Sequence, residues 1–461
     1  MVLRTMTGVV VRSYCWGFVV KTSQKGTGME YLFDTGWVDR PEVTAAALQG
    51  EIRCDVAVIG AGVGGMAAGL RLAERGVDVV VLEAGICGWG ASSRNGGYLT
   101  DALSGDPRML SALHRRRLPG VMRFGQSALR FAEDLIERHQ IECDYNRVGW
   151  VSMASTTRHR AKNAERAAEV LRSLGADAEY VDGREFGLPH AFLGGVYEPH
   201  GGLCNAGKYA LGLRKVLLAS GARVYEQTPV QDLESSGSAV VITVPGGKVR
   251  ADRVLLATNG YSADLPFAPP RLAAPLWVSL LETEPIDPER LDSTGWTNGA
   301  GFVSNNNIVS NFRKTPHNTI VFGTRNVQAP QGPLGARTTD PAVAKDLLRG
   351  FREAFPSLRD VATQKTWGGW IGMSPTLLPV AGQSSSRVLY TNGCNGYGMT
   401  QAPYLATLLA DRLAGDEMHE DLRAVWYDHN VFPPNPQFSA LGARALWTLD
   451  RITDQVDRLR S

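Results

Sequence analysis

Residues 54–66 read Cys54-Asp-Val-Ala-Val-Ile-Gly-Ala-Gly-Val-Gly-Gly-Met66, and this stretch decides the fold. Val56–Ile59 is a short apolar, mostly β-branched run, as suits a buried parallel strand. Gly60, Gly62 and Gly65 then form G-x-G-x-x-G before a helical pattern. Gly60 permits the tight turn, Gly62 lets a pyrophosphate approach the backbone, and Gly65 lets the helix close on the sheet. The helix N-terminus presents free N–H groups to phosphate. A second apolar run, Val77–Leu82, ends in Glu83 and Ala84, and Glu83 lies 18 residues after Gly65. That spacing is close to the ~20 expected of an acid that binds ribose hydroxyls. Glu83 favours an unphosphorylated ribose and does not separate FAD from NAD.

A chain of 461 residues predicts two interleaved domains. Its 44% hydrophobic and 20% charged content is that of a globular enzyme. A net charge of +2 offers no bulk attraction for nucleic acid. No apolar run reaches the ~20 residues of a membrane span. The six cysteines form no C-x-x-C pair, and the eight histidines show no metal-ligand spacing. Neither a disulfide framework nor a metal is expected, and a reducing cytoplasm is the simplest compartment. Residues 1–28 lack acids and a signal-peptide core, and are expected to be a disordered extension.

Outward from the glycine motif, residues 29–50 read as an arm. Ser104–Gln140 reads as helix broken at Pro119-Gly120, and Thr157–Leu174 and Asn205–Ser220 as further helices. Ala239–Val244 and Lys248–Thr258 flank a Pro-Gly-Gly turn as a β-hairpin. Leu272–Val327 is strand-rich and Val343–Phe355 helical. Val361–Ile371 is expected to return to the nucleotide layer. Thr400–Leu413 reads as a helix with Pro403 in its first turn. Phe432–Pro436 is extended by proline content, and an amphipathic helix ends the chain.

Three further blocks narrow the field: Gly90-Ala-Ser-Ser-Arg-Asn-Gly-Gly97, Ala257-Thr-Asn-Gly260 and Gly393-Cys-Asn-Gly-Tyr-Gly-Met399. In this order they resemble the D-amino acid oxidase (DAO) type of FAD-dependent oxidoreductase, most of all its γ-glutamylputrescine oxidase-like branch. The resemblance implies an α/β fold, with a Rossmann-like FAD-binding domain interleaved with a mixed or antiparallel-sheet substrate domain. It places residues 51–110, 200–270 and 361–420 in the first, 111–199 and 271–360 in the second, and 421–461 in a C-terminal tail and helix. It implies FAD contacts at Gly60, Gly62, Gly65, Glu83, Ala84, Ser92, Ser93, Arg94, Asn95, Gly96, Val230, Ala257, Thr258, Gly260, Gly393, Gly396, Tyr397, Gly398, Met399 and Thr400. Arg94 would meet phosphate charge. A helix starting near Met399 and Thr400 would turn its positive end to the reduced flavin. Where the family often has Gly-Tyr-Ser-Gly-His-Gly, this chain has Cys394, Asn395 and Tyr397, which alters the substrate side of the pocket. Arg94 occupies one position where some relatives attach FAD through His, so non-covalent FAD is expected.

The implied reaction takes hydride from the amine-bearing carbon to flavin N5 and leaves an imine that hydrolyses. O2 or another acceptor then takes the electrons. Trp367 and Trp370, in a segment resembling the family's Trp-Gly-Gly, are candidate pocket walls, as is Tyr397. Arg313 and Arg325 are candidate carboxylate anchors, and Lys314 and Lys365 candidate positive charges near the flavin. The alternatives are an FAD-dependent oxidoreductase of another type, by hydroxylation or NAD(P)H-linked reduction, and a non-catalytic FAD-binding protein. The sequence does not name an oligomeric state.

Overall fold

The computed structural model describes residues 22–23, 29–427 and 440–459. The expected extension 1–28 lies outside them apart from Thr22–Ser23, which pairs with Glu30–Tyr31. The Phe432–Pro436 segment also lies outside them.

Two sheets organise the chain. The nucleotide layer is built on Gly50–Ile59. Val79–Leu82 lies beside it on one edge and Gly247–Leu256 on the other, both parallel. Arg223–Tyr225 extends the parallel set beyond Val79–Leu82, and Val388–Asn392 joins it beside Gly247–Leu256. Val56–Ile59 and Val79–Leu82 are buried on both faces, which explains their unbroken apolar runs. Helices Val63–Glu74, Ala206–Ala219 and Gly398–Leu413 cover one face. The hairpin Ala239–Val244 and Gly247–Leu256 packs with the other.

The second sheet has ten strands and is mixed. Its centre is Ala274–Thr283, hydrogen-bonded to Ile320–Gln328 and Thr363–Met373. Beyond them come Ser310–Lys314, Gly301–Ser304, Trp150–Ser155, Gly194–Glu198 and Glu179–Asp182. Phe302, Phe312, Phe322, Phe351 and Phe355 stack into the core between this sheet and the helix Pro341–Ala354.

Four elements differ from expectation. Thr363–Met373 does not join the nucleotide layer but pairs along its length with Ala274–Thr283, running from the second sheet to the cleft described below. The break in 104–140 falls at His114–Arg117. Pro119 sits in the first turn of Leu118–Arg138, where its missing N–H costs nothing. That helix lies in the stretch assigned to the substrate domain, yet it packs on Gly398–Leu413, with Phe124 and Tyr404 rings 5.5 Å apart. Pro403 is the sixth residue of Gly398–Leu413, so it removes the N–H that would bond the Met399 carbonyl.

Candidate functional site: an elongated cleft at the carboxyl ends of the parallel strands

The first strand ends at Ile59, and the chain turns through Gly60 at φ +91°. A side chain on Gly60 would be strained by that angle and would press on the Ala257 carbonyl at 3.0 Å. Gly65 faces back to the same turn, and a Cβ there would lie 1.8 Å from the Gly60 oxygen. A Cβ on Gly62 would touch only the Ser92 hydroxyl, at 3.1 Å. Gly62 thus leaves its backbone bare toward a cleft, while Gly65 sets the depth of the helix.

That cleft runs from Glu83, Thr228 and Val230, past Gly60–Gly64, Ser92 and Asn95, to Cys394, Gly396, Gly398 and Met399. Ala84, Ala257, Thr258 and Trp370 also line it. It encloses about 1890 Å3 free of protein atoms, part of it open to solvent. Several separated segments therefore converge on one long space, as an extended dinucleotide requires.

Each wall is held by specific bonds. Glu83 accepts from the Ala61 N–H at 2.7 Å and the Gly85 N–H at 2.8 Å. A carboxylate has about four lone pairs, so acceptor capacity remains for ribose hydroxyls. Burial pushes the Glu83 carboxyl above its ordinary value, against these backbone bonds. Ser92 Oγ accepts from the Val63 N–H at 3.0 Å, close to the start of the first helix. Asn95 donates to the Ser92 carbonyl at 2.9 Å and to Met399 Sδ at 3.0 Å, tying the two ends of the flavin-side wall together. The last loop has positive φ at Gly393, Asn395 and Gly396. Asn395 accepts from the Ser374 N–H at 2.7 Å and donates to the Gly393 carbonyl at 2.6 Å. Burial raises the Cys394 thiol from its ordinary value, and its sulfur accepts from Asn259.

Other expected contacts stand behind the lining. Arg94 does not face phosphate. Its guanidinium is buried, donating to the Trp89, Phe33 and Gly368 carbonyls at 3.0, 2.6 and 3.2 Å, with Asp34 at 3.5 Å. The reason is register: Arg94 follows a short 3-10 turn that aims it away from the cleft, under the arm at 29–50. Ser93 accepts at its carbonyl from Thr35, and Thr400 donates to the Thr100 carbonyl at 2.8 Å. Gly96 packs against the Tyr98 ring, Gly260 against Ile371, and Gly393 against Ser374.

The tryptophan pair divides. Trp367 and Trp370 are three apart on one strand and so lie on opposite faces. Trp370 borders the cleft, its Nε1 donating to the Gly335 carbonyl at 2.9 Å. Trp367 is sealed behind it, bonded to the Arg94 carbonyl at 3.1 Å and packed edge-on against Trp37. Arg325 is consumed by the helix Pro341–Ala354, with Asp346 at 3.5 Å and Glu353 at 3.3 Å. It does not face a substrate. Lys365 is paired with Glu282 at 2.9 Å and Lys314 donates to the Trp296 carbonyl, so neither supplies a free charge at the cleft. Among the described residues, Arg313 is buried without a carboxylate. Its Nη1 donates to the Gly96 and Cys204 carbonyls at 3.0 and 2.5 Å, while Nε has no partner among them. Tyr397 precedes the last helix and meets Trp150 edge-on at 6.3 Å.

Sequence reasoning missed Asn259, whose Oδ1 accepts from the Gly393 N–H at 3.0 Å. It also missed Glu226, which receives Arg214 at 2.7 Å on both oxygens and the Cys87 and Ala45 N–H groups. Asn259 stood inside a quoted motif; Glu226 carried no local signal.

A parallel layer covered by helices on one face and a β-hairpin on the other, a glycine turn at its carboxyl edge and a mixed sheet closing the cleft define a two-domain flavoprotein oxidoreductase. The chain belongs to the DAO family of FAD-dependent oxidoreductases, whose pattern matches residues 55–412. It is 30% identical to the gamma-glutamylputrescine oxidoreductase of Escherichia coli K12, over 88% of this chain and 95% of that one. It is 26% identical to the glycine oxidase of Geobacillus kaustophilus, over 80% and 95%. The L-amino acid deaminase of Proteus myxofaciens in its anthranilate complex shares the fold, with a TM-score of 0.68, 15% identity and coverage of 85% and 96%. FAD is the cofactor of this family, and the bare Gly62 backbone, the residual acceptor capacity of Glu83 and the length of the cleft fit it. Among the described residues, no helix is long and apolar enough to cross a membrane.

Proposed function

We propose that this protein oxidises an amine or amino acid at the carbon that bears nitrogen, producing an imine that water hydrolyses. Bound FAD supplies the two-electron acceptor. In this reading Gly60–Gly64 hold the pyrophosphate, Glu83 the adenosine ribose, and the Val230 backbone the adenine. The helix opening at Gly398 turns its free N–H groups to the flavin edge where negative charge develops. Asn95 and Asn395 keep that wall rigid, as preorganised stabilisation requires.

The observation that carries the reading is the meeting of two surfaces at one place. Gly398 and Met399 line the cleft, and next to them in the chain Tyr397 meets Trp150 of the ten-stranded sheet. A substrate held on that sheet is thereby presented to the flavin end of the cleft. Tyr397 is the proposed pocket wall, and Arg313, with its unpartnered Nε, the proposed carboxylate anchor. The relatives that act on a glutamylated amine and on glycine support the substrate class. Non-covalent FAD is supported by Arg94 at one attachment position and by burial, which raises the Cys394 thiol above its ordinary value. A reducing cytoplasm is supported by the five cysteines among the described residues, all of them free.

Anaerobic mixing of the flavin-loaded protein with polyamines, glutamylated amines, D-amino acids and N-methyl amino acids tests the proposal. Bleaching of the flavin band by at least one class is expected. Bleaching by NADH alone, or by none of the amines, would refute it.

A further inference from the structure

One face of the ten-stranded sheet carries a row of residues that the dinucleotide cleft does not use. Trp150 and Glu198 oppose each other across an antiparallel pair. Opposed residues project from one face, and so do residues two apart on a strand. Ser152 therefore shares that face, and its hydroxyl donates to Glu198 Oε1 at 2.7 Å. The Trp150 ring meets Tyr397 on one side and Tyr98 on another, each at 6.3 Å. Tyr397 immediately precedes Gly398, which lines the cleft. The row thus faces the cofactor domain beside the flavin end.

Charge on this face is unbalanced. Glu198 is 6% exposed, and Ser152 is its one hydrogen-bond partner among the described residues. The charged group acting on it most strongly is a second acid, Asp101, which is influenced in turn by His200 and Arg130. A buried carboxylate ordinarily has a cation or several N–H donors. Glu226 in the same protein has both. Among the described residues, the buried Trp150 Nε1 has no hydrogen-bond partner. Acceptor and donor groups on one face thus await partners that no described residue supplies.

We propose that Glu198, assisted by Asp101 and walled by the rings of Trp150 and Tyr397, is a subsite for a second, protonated amino group on the substrate. An ammonium offers donors to the free carboxylate oxygen and a cation to the aromatic faces. The substrate class is then a diamine or N-substituted diamine, one nitrogen oxidised and the other anchored. This rests on the amine-oxidation reading above, and names Glu198 as the residue that selects length and charge.

The test is anaerobic calorimetric titration of the flavin-loaded protein at pH 9 with 1,4-diaminobutane and with butylamine, flavin absorbance being followed on the same samples. The diamine is expected to bind at least about tenfold more tightly than the monoamine. Glu198→Gln should bring that preference below about twofold. Asp101→Asn, a milder change at a less buried position, should lower it severalfold and serves if Glu198→Gln does not fold. Equal binding of the two amines by the natural protein, binding of neither, or a preference that survives Glu198→Gln, would overturn the subsite. A diamine bound with preference that leaves the flavin oxidised would sink amine oxidation and leave the subsite standing. Flavin reduction without preference would do the reverse.

Discussion

A methyl group on Gly65 would lie 1.8 Å from the Gly60 carbonyl oxygen, although the two glycines are read from sequence as separate features. The helix Val63–Glu74 is seated directly on the turn that precedes it. The contact is backbone against backbone, so no side-chain rotation relieves it.

Gly65→Ala is therefore expected to displace the helix, cost roughly 3 kcal/mol or more, and yield protein without the flavin band. Gly62→Ala meets only the Ser92 hydroxyl. It should keep a near-natural melting temperature and lose FAD affinity. Thermal melts with and without added FAD separate the two variants.

Arg214 and Glu226 form a buried fork, with Glu226 fully inaccessible. Burial would raise the Glu226 carboxyl, but the Arg214 fork and the Cys87 and Ala45 N–H groups hold it below its ordinary value. The stability this provides is present above the unfolded carboxylate range and is lost as pH falls through the folded value. Arg214→Ala should cost about 3 kcal/mol at neutral pH. The gap from the natural protein should narrow on acidification toward pH 3–4, read by denaturant midpoints.

Glu198 behaves oppositely. Burial first, then Asp101, pushes its carboxyl up to about 8, against the Ser152 bond. Tyr397 and Tyr98 add no cation on this side. A raised carboxyl is stable protonated, so the free protein should lose stability as pH rises from about 5 through 8. At ~1.4 kcal/mol per unit the full effect approaches about 5 kcal/mol, an upper bound. Glu198→Gln should flatten this slope between pH 6 and 9. Parallel slopes for the two proteins would count against a raised Glu198.

Arg325 tests a structural role against a substrate role. Paired with Asp346 and Glu353, it anchors the helix Pro341–Ala354 to the sheet. Arg325→Met is expected to lower stability by about 2–4 kcal/mol, because the buried Asp346 loses this cation. KM for the best amine should change less than twofold. Arg313→Met should instead raise KM for a carboxylate-bearing substrate at least about tenfold while that for a simple amine holds.

Local rules carried the nucleotide layer because its signals are short-range. A β-branched run, three glycines and an acid at fixed spacing specify strand, turn, helix and second strand without reference to distant residues. The hairpin at 239–256 and the capped helices are of the same kind, since turn and cap chemistry lies within a few positions of the element it ends. Which way a side chain faces is not local. Arg94 reads as a phosphate ligand from its place after the second strand, yet the arm at 29–50 closes over it and takes its donors. Trp367 and Trp370 share one motif, but pleating puts only one of them at the cleft. Pairing of Trp150 with Glu198, 48 positions apart, is decided by strand register across a sheet. By itself, then, the sequence determined a dinucleotide site, because strand, turn and acid are contiguous backbone demands, and its resemblance to a known family supplied FAD and the order of the segments around it. Only the tertiary structure decided which charges are spent on the fold. Charge balance depends on neighbours brought together from distant segments, and no spacing along the chain records them.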